Sequence, residues 1–116
     1  MPSLIIHTNV AVADKTSDKS AFLSRCSSAT AQMLSKPESY VMVELCDSRS
    51  MLFGGTDAPL AFVELKSLGL NTEQTAELSA RLCRLLNDAL GIDPARVYIE
   101  FAAPERAMFG WNSGTF

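Results

Sequence analysis

An internal repeat constrains this chain more than any single motif does. Sliding the sequence along itself until Pro2 meets Pro59 also brings Cys26 onto Cys83 and Pro37 onto Pro94. Each half then carries the same plan. In the first, a strand over residues 3–8 leads to a helix over about 17–34 and a strand over 40–45; in the second, the corresponding spans are 60–65, about 72–90 and 96–102. The chain reads as one domain, 1–116, made of two βαβ pseudo-repeats over about 2–57 and 59–114.

The helices rest on spacing. Phe22, Cys26, Ala29 and Met33 recur at helical intervals, as do Leu78, Leu82, Leu85 and Leu86, so each segment has one apolar face. Asn71 or Thr72 can cap the second helix, Gly91 ends it, and Pro94 and Pro37 prevent either helix from continuing. Two such units predict an α+β fold with a four-stranded sheet and both helices on a single face. The other face is then bare. With Ile5 and Val41 or their alternates, and Phe62 and Tyr98 or theirs, it reads as an apolar surface that must be covered. No further helix is available to cover it, so packing of identical subunits into a closed oligomer is the expected solution.

Composition excludes several classes. A hydrophobic content of 47% and a net charge of -3, without a block of basic residues, argue against a nucleic-acid partner. Apolar runs are too short for a membrane span, and Leu4-Ile5-Ile6 lacks the basic flank of a secretory signal. A cytoplasmic protein is expected, or one exported by a leaderless route. Cys26, Cys46 and Cys83 have neither CxxC nor Cys/His spacing, which predicts reduced, mostly buried thiols and no metal site. No cofactor is expected. His7 is the only histidine, and Gly54-Gly55 lacks the remainder of a phosphate loop, so a turn is the natural reading there.

The two termini and the junctions between elements carry more. Met1-Pro2 leads into a strand ending His7-Thr8-Asn9-Val10; Ser35-Lys36-Pro37 precedes Tyr40; Met51-Leu52-Phe53-Gly54-Gly55 and Ser67-Leu68-Gly69 follow. Asp93-Pro94-Ala95-Arg96-Val97-Tyr98-Ile99 and the tail Phe109-Gly110-Trp111-Asn112-Ser113-Gly114-Thr115-Phe116 complete the set. In this order, over essentially the whole chain, the residues resemble the macrophage migration inhibitory factor branch of the tautomerase superfamily. The resemblance implies a homotrimer whose sheets form a barrel, with sites at the subunit boundaries and an amino-terminal proline as catalytic base. Trimming of the initiator methionine would leave Pro2 with a free secondary amine.

The activity implied is keto–enol tautomerisation of phenylpyruvate-like α-keto acids, with dopachrome-type substrates as a wider candidate class. An α-amino group ordinarily titrates at about 7.7 to 8.0. Burial and a nearby cation both disfavour its charged form and bring it toward a working base at neutral pH. Ile5, Leu68, Tyr98, Phe109 and Trp111 are candidates for the apolar setting. Lys36 is the candidate for the cation and for holding the substrate carboxylate. By the same resemblance, Ser67 and Leu68 hold a carboxylate through a backbone group, Tyr98 enters from a neighbouring subunit, and Tyr40 and Phe109 line the pocket.

Departures bear on specificity. Glu100 stands where mammalian members carry an asparagine that reaches the far end of an aromatic substrate, so an acid there redirects substrate choice. Leu60-Ala61-Phe62-Val63 replaces the mammalian CxxC, and no thiol redox activity is expected. Two other function classes fit parts of the sequence: a cytokine-like protein that binds a receptor through its trimer surface, and a metabolite-binding regulatory βαβ repeat. The second leaves Met1-Pro2 without a role.

Overall fold

The computed structural model describes residues 1–16 and 18–116. Strand β1 (Ser3–Thr8) is followed by helix α1 (Lys19–Leu34) and strand β2 (Met42–Cys46); strand β3 (Ala61–Lys66) is followed by helix α2 (Thr75–Leu90) and strand β4 (Val97–Ala102). The tail adds a two-residue-per-strand hairpin, β5 (Gly110–Trp111) and β6 (Gly114–Thr115). The four main strands form one sheet in the order β2-β1-β3-β4. β1 runs parallel to β2 and β3 runs parallel to β4, as two βαβ crossovers require, and the halves join through the antiparallel β1–β3 pair. No helix among the described residues is long and apolar enough to cross a membrane.

Strand alternation sorts the two sheet faces. Leu4 and Ile6 of β1 with Ala61, Val63 and Leu65 of β3 are buried under Phe22, Cys26 and Leu34 of α1 and Leu78, Leu82, Leu86 and Leu90 of α2. Both helices therefore cover one face. On α2 the predicted leucines are all buried. On α1 the buried stripe runs Phe22, Cys26, Thr30, Leu34, with Ala29 and Met33 at its border. Thr30 enters the core because its hydroxyl donates to the Cys26 carbonyl at 2.8 Å, which satisfies the polar atom inside the helix.

The ends of the helices differ from the sequence expectation in detail. Asp18 caps α1 by accepting from the Ala21 amide, and Ser17, where the helix was expected to begin, lies outside the described residues. Asn71 does act as a cap, but of the turn ahead of α2: its side chain accepts from the Glu73 amide while Gln74 accepts from the Asn71 amide. These two bonds close a separate turn, and the regular helix starts at Thr75. At the other end Gly91 takes the left-handed conformation expected of a glycine terminator.

The open face is mixed rather than apolar, which corrects the sequence expectation. Ile5, Phe62 and Tyr98 share it with His7, Glu44, Glu64, Lys66 and Glu100. Val41 precedes β2 and takes no part. The register sets Glu44 beside Ile5, Ile5 beside Glu64 and Glu64 beside Glu100, a row of carboxylates across the sheet. His7 meets Glu64 at 3.3 Å and stacks on Phe62 with ring centroids 5.9 Å apart. Strict alternation in Phe62-Val63-Glu64-Leu65-Lys66 carries this pattern in the sequence itself.

Candidate active site

Pro2 is fully buried at the head of β1. It is fixed from one side by its own carbonyl, which accepts from the Met42 amide at 3.0 Å and so extends the β1–β2 pairing by one residue. Met1 precedes it and is half-buried. Burial pushes the Met1 amine below its ordinary pKa, and the charges of Lys36 and then Arg106 push it further down. Two cations from distant parts of the chain thus act on the amino terminus.

Lys36 is brought there by the way α1 ends. Ser35 takes a left-handed conformation with φ 53°, and the Lys36 amide reaches back to the Ala31 carbonyl at 3.0 Å. Pro37 then blocks further helix and starts a short 3-10 turn, Glu38–Tyr40. Tyr40 therefore sits in that turn, whereas a strand beginning at residue 40 was expected; the turn bonds of Tyr40 and Val41 occupy their amides before β2 can pair. The same turn presents Tyr40 to the tail hairpin. Its ring meets Trp111 edge-on at 5.7 Å, Trp111 stacks on Phe116 at 5.2 Å, and Phe116 meets Phe109 at 6.0 Å. Asn112 and Ser113, both at positive φ, make the tight reversal that folds the tail back on itself.

On the neighbouring strand, Lys66 is the register partner of Ser3, and Ser67 and Leu68 form the buried turn that follows. The Ser67 amide donates to the Ala102 carbonyl at 3.0 Å. Gly69, with φ 77°, completes the turn. A cavity of about 600 Å³ opens at this corner between Ser3, Lys66, Pro104, Met108 and Phe109. The fold thus gathers Pro2, Lys36, Tyr40, Ser67, Leu68 and Phe109 at one end of the sheet.

Tyr98 and Glu100 are elsewhere. Tyr98 pairs with Phe62, four residues along β4 from Ala102, or about 13 Å at the rise of a strand. It is 66% exposed and leans on Phe53 at 4.8 Å. Glu100 lies between, two residues from Ala102 and beside Glu64 in the register. Sequence reasoning missed Arg106 altogether, because it lies in an irregular segment whose path no periodicity describes. It also passed over Lys66, whose place opposite Ser3 depends on the strand register.

Taken together, the corner holds a buried proline beside the amino terminus, a cation set by a helix end, an aromatic wall and an open cavity. The sequence pattern that defines the macrophage migration inhibitory factor (MIF) family matches residues 1–116. The chain belongs to that family. Relatives of the MIF family include a macrophage migration inhibitory factor homolog of Trichuris trichiura, 41% identical with all of both chains covered, and the factor of Mus musculus, 38% identical over all of this chain and 99% of that one. The fold agrees. The MIF structure from Trichinella spiralis superposes with a TM-score of 0.91 at 37% identity, covering 98% of this chain and 99% of that one. The MIF homologue from Prochlorococcus marinus gives 0.88 at 38% identity, with 98% of each covered.

Proposed function

We propose that this MIF-family chain is a keto–enol tautomerase of phenylpyruvate-like α-keto acids, working as a homotrimer after removal of Met1. The observation that carries the reading is the complete burial of Pro2 next to an amino terminus whose pKa is lowered by burial, Lys36 and Arg106. With Met1 removed, the Pro2 nitrogen becomes the terminal amine. Held toward its neutral form by the same surroundings, it takes the enol hydroxyl proton and returns a proton to the adjacent carbon, yielding the ketone; the reverse direction uses the same two transfers. Lys36 holds the substrate carboxylate and stabilises the charge that develops on oxygen.

Ser67 and Leu68 contribute backbone polarity at the same carboxylate, and Tyr40 and Phe109 form the apolar wall. The open sheet face supports the trimer, since a half-apolar sheet without a covering layer favours packing against copies of itself. In that assembly Tyr98 and Glu100 reach the site from the adjoining subunit. Glu100 then sets a preference against substrates bearing a phenolate.

The test is enol-to-ketone conversion of phenylpyruvate, followed by ultraviolet absorbance, on protein whose intact mass proves Met1 absent. Pro2→Gly, equally processed, should lose about 10²- to 10⁴-fold in kcat/KM, the usual contribution of a positioned base. Full activity in Pro2→Gly would sink the assignment. No conversion by the parent protein would favour a receptor-binding role through the trimer surface.

A further inference from the structure

Two cations, Lys36 and Arg106, act on the amino terminus and a third, Lys66, stands opposite Ser3, yet the reaction proposed above sets only Lys36 on the substrate. Lys36 serves the α-keto carboxylate. Lys66 lines the 600 Å³ cavity beside Ser3, and Arg106 belongs to the same short turn as Met108, which lines that cavity as well. Among the described residues the side-chain ion pairs are His7–Glu64 and Lys19–Asp47, so Lys36, Lys66 and Arg106 are all without a carboxylate partner.

The acids nearby, two of them on the same sheet face as Lys66, form no ion pair with these cations among the described residues. Glu64 is engaged by His7, Glu100 lies two residues along β4 from Ala102, the register partner of Lys66, and Glu105 precedes Arg106 at the exposed rim. A corner that carries three unpaired cations, in a chain of net charge -3, is electrostatically prepared for more than one negative group. Its size matches: an open cavity of about 600 Å³ has room for a ligand larger than one carboxylate.

We propose that the cavity between Lys66 and the 104–110 segment holds a second anionic group, so that the preferred substrate is an α-keto acid with a distal carboxylate. The assignment rests on the tautomerase reading and adds its substrate class. Lys66 receives the distal carboxylate, and Arg106 adds attraction from the rim. Met108 and Phe109 cover the carbon skeleton between the two charged ends. The α-keto carboxylate remains with Lys36, and the proton transfers at Pro2 are unchanged.

Two measurements keep this claim separate from the one it rests on. In the first, the enols of phenylpyruvate and of its para-carboxy derivative are compared as substrates of Met1-free protein. The ratio of their kcat/KM values should favour the dicarboxylate, fall about fivefold in Lys66→Gln through KM, and recover in Lys66→Arg, as for one partly solvated ion pair. In the second, calorimetry measures equilibrium binding of 3-phenylpropionate and 3-(4-carboxyphenyl)propionate, which do not react. The dianion should bind more tightly, with a preference that shrinks as salt is raised from about 0.02 to 0.5 M. Turnover of phenylpyruvate with equal treatment of the dicarboxylate would leave the tautomerase standing and overturn the second anion site. Preferential, Lys66-dependent binding without turnover would do the reverse.

Discussion

The two ends of the sheet use the same kinds of residue for opposite purposes. At the far end, Arg96 donates to the carbonyls of Pro59, Phe53, Thr56 and Ala58 at 3.0 to 3.2 Å, and its guanidinium lies 5.2 Å from the Phe53 ring centroid. Four of the five N–H donors of its planar fork are used, and they fix the 53–59 loop. At the Pro2 end, Lys36, Lys66 and Arg106 have no acid partner among the described residues; Lys36 and Arg106 act on the amino terminus and Lys66 lines the cavity instead. Aromatic residues follow the same division. Tyr98 and Phe53 pack on a loop held by Arg96, whereas Tyr40, Trp111 and Phe116 pack with Phe109, which lines the cavity. Cations saturated by the fold stabilise it; cations left unsaturated beside a buried amine are available for chemistry.

The contrast can be broken from either side. The larger effect is expected at the open end. Lys36→Ala removes both a carboxylate anchor and a charge that lowers the terminal amine, so kcat/KM for phenylpyruvate should fall about 10- to 100-fold. Its pH profile carries a second signature. Because the cation disfavours protonation of the amine, its loss raises the amine pKa, and the acid limb of kcat/KM moves to higher pH. An unmoved limb would show that Lys36 does not act on the base. A smaller effect, on stability alone, is expected at the far end. Arg96→Ala leaves carbonyls of the 53–59 loop without their donor and should cost about 2 kcal/mol in denaturant unfolding, with the acid limb unmoved. A shift of the limb in Arg96→Ala would mean the two ends are not separate.

Much of the fold was legible because its signals are local and periodic. The β-branched run at Leu4-Ile5-Ile6 and the leucines at 78, 82, 85 and 86 read directly as strand and helix, and the repeat gave their order. What the sequence hid depends on non-local or side-chain bonding. Thr30 looks polar, yet its bond to the Cys26 carbonyl lets it enter the core. Asn71 looks like the cap of α2, yet its bonds to the Glu73 amide and to the Gln74 side chain close an earlier turn. The open face was expected to be apolar from Ile5, Phe62 and Tyr98, yet Glu64 and Lys66 alternate onto it beside Phe62. The candidate site divides likewise. Pro2, Lys36, Ser67, Leu68 and Phe109 were named from motifs and are gathered at one corner, but Arg106 reaches it along an irregular path that only the folded chain reveals.

Base catalysis by Pro2 requires a terminal amine that is neutral at working pH. The most direct measurement is titration of the Pro2 nitrogen in Met1-free protein, by nitrogen-15 labelling of proline and nuclear magnetic resonance. Burial and the cations Lys36 and Arg106 predict a pKa below the ordinary amino-terminal range of about 7.7 to 8.0. A value within or above that range would show that the corner leaves the amine protonated, and would contradict Pro2 as the base.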